Sequence, residues 1–170
     1  MSANRAGRFS KHVLRRSGPC LRRAAGALAA RVLAPESVRA AGILGAGVQA
    51  YWLARALFSV RNFERLLIWS RNHEKTMALK QQRASKLPSV EIVVTGSIRE
   101  VVEAAQVLVT ATAAREPIVR GEWLRPGQHI TAIGADDETK CELDEHCLKR
   151  VHRLIVDSRD SARDCGEVHR

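Results

Sequence analysis

From residue 40 onward the chain alternates short apolar runs with longer segments whose apolar residues recur every three or four positions. Runs of four to six aliphatic residues bounded by turn formers read as strands, and the longer period reads as helices that cover them. The pattern predicts strands at 40–44, 65–70, 90–95, 107–110, 129–134 and 154–157. Helices are predicted at 48–58, 74–86, 97–105 and 142–151, with 121–127 (GEWLRPG) as a turn-bearing loop. Ahead of them, 24–33 (AAGALAARVL) is rich in the strongest helix formers and stops before Pro35, so it reads as a helix of about three turns. The strands are almost continuously Val, Ile and Leu, as in strands buried on both faces. The expected fold is therefore α/β, a Rossmann-type doubly wound parallel sheet, without internal repeats.

Charge changes the picture only at the N-terminus. The net charge is +10, yet residues 1–39 hold nine Arg/Lys and one acid, Glu36, while the remainder holds 19 basic and 17 acidic residues. A basic head on a nearly neutral body is not a nucleic-acid-binding face of the folded domain, so no nucleic acid is expected as partner. Residues 1–20 are rich in Arg, Ser and Gly and show no period, as expected of a segment poorly ordered on its own. A transit peptide, a basic arm and a non-native start from a gene fragment or shifted frame compete to explain them. Length adds to this: 170 residues are about half of what a two-domain dehydrogenase needs. No apolar run approaches the roughly 20 residues of a membrane span, so no membrane is expected. Cys20, Cys141, Cys147 and Cys165 form no CxxC pair, and Cys141, His146, Cys147 and His152 lack zinc-site spacing. The expectation is free thiols in a cytoplasmic protein with no metal.

Chemistry enters at Gly45-Ala46-Gly47-Val48-Gln49-Ala50, a G-x-G-x-x-A loop directly between a predicted strand and a predicted helix. Gly45 would permit the tight turn, Gly47 a close backbone approach to a pyrophosphate, and Ala50 close packing of the helix on the sheet. The helix N-terminus then faces the phosphates. In another α/β protein the same glycines would merely tighten the turn. The second strand ends Trp69-Ser70-Arg71-Asn72, without the acid that would hold the 2′-hydroxyl of NAD. Arg71 can instead bind a 2′-phosphate, with Ser70 and Asn72 adding neutral hydrogen bonds, so NADP(H) is expected in preference to NAD(H). The alternative for Arg71 is a solvated charge at a helix start.

Further along, Val109-Thr110-Ala111-Thr112-Ala113-Ala114-Arg115-Glu116-Pro117-Ile118-Val119 is followed by GEWLRPGQH at 121–129 and by Ile130-Thr131-Ala132-Ile133-Gly134-Ala135-Asp136-Asp137. Lys140, Glu142, Leu143 and Asp144 come next. With GILGAGVQA at 42–50 and Val156-Asp157-Ser158-Arg159, these stretches closely resemble the ornithine cyclodeaminase/mu-crystallin family over about residues 24–170. The resemblance implies an NAD(P)-dependent amino-acid or imine oxidoreductase or cyclodeaminase, which converts ornithine to proline plus ammonia or acts as an alanine dehydrogenase, ketimine reductase or ectoine-utilisation enzyme. It implies a small amino-acid or imine substrate and a two-domain homodimer.

On the resemblance Asp136 is the catalytic acid/base; a carboxylate beyond the carboxyl end of a parallel strand also lies where open α/β sheets bind ligands. Asp137 is the more exposed alternative, and a helix-capping turn the bland one. To the cofactor contacts read from the loop and the strand tip, Gly45, Ala46, Gly47, Val48, Gln49, Ser70, Arg71 and Asn72, the resemblance adds Thr110, Ala111, Thr112, Ile133 and Gly134. Lys140 and Glu142 read as support for the Asp136 loop, with a surface ion pair as the alternative.

The departures divide the chain. Residues 1–20 are read as a basic leader, 21–39 as a helix from the family's substrate and dimerisation part, 40–158 as the Rossmann domain, and 159–170 as the start of a shortened C-terminal segment. Leu21 stands where the family's substrate-binding arginine aligns, with Arg22 or Arg23 as substitutes. With the second domain largely missing, the competing expectation is a module that binds NADP(H) without turnover.

Overall fold

The computed structural model describes residues 24–156 and 158–168. The expected basic leader and the arginines Arg22 and Arg23 lie outside the described residues. The chain folds as α1 (24–33), β1 (Ala40–Leu44), α2 (Val48–Val60), β2 (Arg65–Trp69), α3 (His73–Ala84), β3 (Glu91–Val94), α4 (Ile98–Ala104) and β4 (Val107–Thr110). A 3-10 turn (Gly121–Trp123), β5 (His129–Ala132), α5 (Glu145–Arg150) and α6 (Arg159–Asp164) follow.

All strands are parallel, in the order β3-β2-β1-β4-β5. The chain winds outward from β1 through β2 to β3, then crosses to β4 on the other side of β1. That reversal makes a switch point between β1 and β4, and it is at such a point, beyond the carboxyl ends of the strands, that open α/β sheets have their crevice. β1 and β4 are buried throughout, which is why their sequences are continuously apolar rather than alternating.

Helices cover both faces. On one, α2 turns Ala50, Leu53, Ala54 and Leu57 onto the sheet, a spacing of three, one and three that traces a single helical stripe. α3 lies beside it; its Arg83 is almost fully buried, with the guanidinium 4.1 Å over the ring of Tyr51. α1 completes this layer, because Ala30, Ala34 and Val38 join the core of α2 and β1. A Cβ on Gly26 would lie 3.0 Å from Leu53 and 3.1 Å from Thr131 of β5. Arg61, just past α2, donates from Nη2 to the carbonyl of Arg31 at 2.7 Å, a cation at the C-terminus of α1. On the opposite face, Val101 and Val102 of α4 pack with Leu108, Leu124, Leu143 and Cys147.

Two predicted elements are corrected. Of the strand predicted at 154–157, the described residues 154–156 form none: they have no ladder partner among the described residues, and Leu154 and Ile155 are more than half exposed. Aliphatic propensity alone makes no strand without a neighbour to bond. The helix predicted at 142–151 starts later, because the Asp144 side chain accepts from the Cys147 N–H and caps it there. That leaves 141–143 extended, with Leu143 bridged to Val119.

Candidate functional site: a crevice at the switch point

The crevice has two lips. The first is the loop from β1 to α2. Gly45 has φ +121°, and its N–H donates to the carbonyl of Trp69 at 2.7 Å. A Cβ there would lie 2.5 Å from the Ala111 carbonyl oxygen, so glycine is required twice over, by conformation and by contact. Gly47 is the N-cap of α2 in extended conformation and supplies no side-chain bond; no acid occupies the first turn. The first N–H groups of α2 therefore have no side-chain acceptor from the cap, and a Cβ on Gly47 would meet no protein atom within 4 Å. An exposed glycine cap at an uncapped helix start fits an anion whose bulk a Cβ would oppose.

The second lip joins the loops after β4 and β5. Thr110, Ala111 and Thr112 leave β4 beside the first lip, with the Ala111 N–H donating to the Leu44 carbonyl at 2.8 Å. Ile133 N–H donates to the Thr110 carbonyl at 3.0 Å and carries the pairing of β4 and β5 to Gly134. Between the two loops lies Glu142, fully buried. Its Oε1 accepts from the Thr112 N–H at 2.6 Å and the Thr112 hydroxyl at 2.7 Å. Its Oε2 accepts from the Thr110 hydroxyl at 2.7 Å and the Gly134 N–H at 2.8 Å. Glu142 thus lies outside the helix predicted at 142–151 and in no surface ion pair, the alternative offered for it beside support of the Asp136 loop. Burial pushes its carboxyl up from the ordinary range, against the four hydrogen bonds that hold it down. Thr110, expected among the cofactor contacts, has no exposed surface and turns its hydroxyl to this carboxylate.

Asp136 follows on the loop beyond β5. Its Oδ1 accepts from the Lys140 ammonium at 2.5 Å, and Asp137 Oδ2 lies 3.3 Å from the same ammonium. Asp137 Oδ1 accepts from the hydroxyl and N–H of Thr139, which with Lys140 holds its carboxyl down at about 2. Asp137 is therefore committed to closing the turn, whereas Asp136 is exposed beside a cation. Lys140 pairs with both carboxylates near the surface, the alternative weighed beside its support of the Asp136 loop.

At the tip of β2, Ser70 and Asn72 are engaged within their own turn. Asn72 Oδ1 accepts from the Lys75 N–H to cap α3, and the Ser70 hydroxyl pairs with Asn72 and Thr76. Arg71 is exposed between them. The signal for the Asn72 cap was readable, since an Asn before a helix is a standard N-cap. Glu142 carried no such signal, because its partners lie eight to 32 residues away.

Among the described residues no group of three or more His, Cys, Asp or Glu is placed to hold a metal, and no helix is long and apolar enough to cross a membrane. Cys141 and Cys147 are buried thiols outside any disulfide; burial, with Asp144 nearby, pushes Cys147 up to about 12. An open cavity of about 630 Å³ lies at the other end of the sheet, between Val38, Arg39, Phe63 and Glu64. It adjoins the amino ends of β1 and β2, whereas open α/β sheets take ligands at the carboxyl ends, so the switch-point crevice is the stronger candidate.

Residues 20–170 match the model of the ornithine cyclodeaminase/mu-crystallin family. The ketimine reductase mu-crystallin of Rattus norvegicus is 37% identical over 146 residues, which are 85% of this chain and 45% of that protein. The alanine dehydrogenase of Archaeoglobus fulgidus is 35% identical over 150 residues, 86% of this chain and 44% of that protein. Among solved structures, the Delta(1)-pyrroline-2-carboxylate reductase of Thermococcus litoralis, in complex with NADH and L-proline, superposes with a TM-score of 0.81 at 35% identity. It covers 86% of this chain and 45% of its own. An archaeal alanine dehydrogenase dimer with bound NAD gives 0.84 at 30% identity, over 92% of this chain and 47% of its own. The chain spans less than half the length of these relatives. With its family model matched along most of its length and its sheet shared with these enzymes, the chain belongs to the ornithine cyclodeaminase/mu-crystallin family.

Proposed function

We propose that the chain forms the cofactor-binding part of an NAD(P)-dependent enzyme acting on a small amino acid or cyclic imine, with NADP(H) preferred over NAD(H). The observation that carries this reading is the first lip: an uncapped helix start behind Gly45 and Gly47, at the switch point of a parallel sheet. Gly45, Ala46, Gly47 and the N–H groups of Val48 and Gln49 would hold the pyrophosphate. Arg71 is the cation at the β2 tip, and with Ser70 and Asn72 tied into their turn it would bind the 2′-phosphate. Ala111, Thr112, Ile133 and Gly134 would wall the nicotinamide, which when bound supplies or accepts the hydride. Asp136, with Lys140 as its charge partner, would carry the proton of the substrate nitrogen on its carboxylate.

Titration with NADPH and with NADH, followed by fluorescence transfer from Trp52, Trp69 or Trp123, tests the reading. NADPH should bind more tightly, and Arg71→Ala should weaken NADPH about tenfold while leaving NADH unchanged. No response to either cofactor at high micromolar concentration would sink the proposal. Turnover of ornithine, alanine or a cyclic ketimine, lost in Asp136→Asn, supports catalysis. A second reading, binding without turnover by these 170 residues, is favoured by their spanning less than half of the relatives' length; tight NADPH binding without turnover of any of the three substrates supports it.

A further inference from the structure

Two carboxylates stand in series behind the second lip. Glu167, after α6, accepts the Glu142 N–H on Oε1 at 2.8 Å and the Leu143 N–H on Oε2 at 2.9 Å. The Cys141 thiol lies 3.3 Å from the same Oε2. The backbone at 141–143 is thereby tied to the C-terminal segment, in the extended stretch that carries Glu142. The Glu142 carboxylate in turn spans from Thr112, after β4, to Gly134, after β5. The two loops approach closely at Gly134. A Cβ on Gly134 would lie 2.3 Å from the Thr112 carbonyl oxygen and 2.5 Å from the Glu142 carboxyl.

We propose that Glu142 and Glu167 are positioning residues acting in series: Glu167 fixes the backbone at 142–143, and Glu142 sets the spacing of the β4 and β5 loops that wall the crevice. The C-terminal segment then governs cofactor affinity through the second lip. This rests on the cofactor reading above.

Glutamine separates the proposal from simple packing. A carboxyl group offers an acceptor oxygen to both backbone N–H groups, whereas an amide offers one oxygen and turns an NH2 toward the other. Glu142→Gln should therefore move the loops while keeping the volume. In titrations of the full chain with NADPH, Glu142→Gln should raise Kd about tenfold and Glu167→Gln about threefold, a hydrogen bond or less in each case. Because the two act along one path, the double variant should bind no worse than Glu142→Gln alone. Variants that melt earlier yet bind with the wild-type Kd would overturn the proposal, as would effects that multiply in the double variant.

Amide hydrogen exchange on the wild-type chain needs no variant to fold. The Thr112 and Gly134 amides should both be protected, and in Glu167→Gln both should lose protection together; free exchange of either in the wild type overturns the relay. If the wild type binds neither NADPH nor NADH, the cofactor reading and the claim on affinity fall, while exchange still decides whether the two carboxylates hold the loops.

Discussion

The two lips of the crevice are built in different ways. The lip between β1 and α2 is made by neighbours in sequence: Gly45 turns the chain, Gly47 ends the turn and α2 begins at once. The lip between β4 and β5 is made by a side chain from elsewhere, Glu142, whose carboxylate joins Thr110 and Thr112 to Gly134. A local lip depends chiefly on its own backbone, here with the Trp69 carbonyl as an acceptor from another strand. A clamped lip also fails when a distant residue releases the clamp.

Substitutions that force atoms into either lip should have the largest effect. Gly45→Ala meets both a positive φ and the Ala111 carbonyl oxygen at 2.5 Å. A loss of about 3 kcal/mol or more in urea denaturation is expected, from backbone strain and overpacking together. Gly134→Ala should cost a similar amount, because its Cβ would strike the Thr112 carbonyl and the Glu142 carboxyl. A loss below about 1 kcal/mol at Gly45 would show that the first lip gives way easily.

Glu142→Ala comes next. It leaves two N–H groups and two hydroxyls without their acceptor, and its cost is expected at about 2–3 kcal/mol, since the burial cost of the carboxyl is relieved at the same time. Calorimetric melting of the two chains side by side measures it. A change within about 0.5 kcal/mol would make the second lip as self-sufficient as the first and dissolve the contrast.

The same contrast explains what could be read from sequence. Sheet, helices and the glycine loop were legible because their signals are local: apolar runs, a 3.6-residue period, and G-x-G between a strand and a helix. Asp136 and Lys140 were singled out by the family resemblance, and their pairing stays within four residues. Glu142 was not, because whether a glutamate is a solvated charge or a buried acceptor depends on donors brought to it by the sheet, and Thr110 lies 32 residues earlier. Residues 154–156 show the converse failure. Their aliphatic run has the composition of a buried strand, yet pairing depends on a neighbour that composition does not reveal.

Gly47→Ala probes the first lip for function rather than stability. At φ −84° and with no atom within 4 Å of the added methyl, stability should change by less than about 0.5 kcal/mol. Under the proposed reading, NADPH affinity should still fall about tenfold, because the methyl stands where the pyrophosphate approaches. An unchanged Kd would mean that the glycine serves no ligand, and the first lip would reduce to a tight turn.

The smallest effect is a difference of differences, the pH dependence of the clamp. Glu142 is held above its ordinary carboxyl value by burial, so the folded chain keeps this proton more tightly than the unfolded chain does. Wherever the folded state binds more protons, stability falls as pH rises. The contribution of Glu142 is thus fullest below the ordinary carboxylate range and declines as pH climbs through the raised value. Because Glu142→Gln cannot titrate, subtracting its urea denaturation from that of the wild type at each pH cancels the other acids, and the wild type's relative stability should be greater at pH 4 than at pH 8. A difference that grows with pH would mean that the four hydrogen bonds outweigh burial. The second lip would then be clamped best by the charged carboxylate, in the pH range where the first lip, with no titrating group in its turn, does not change.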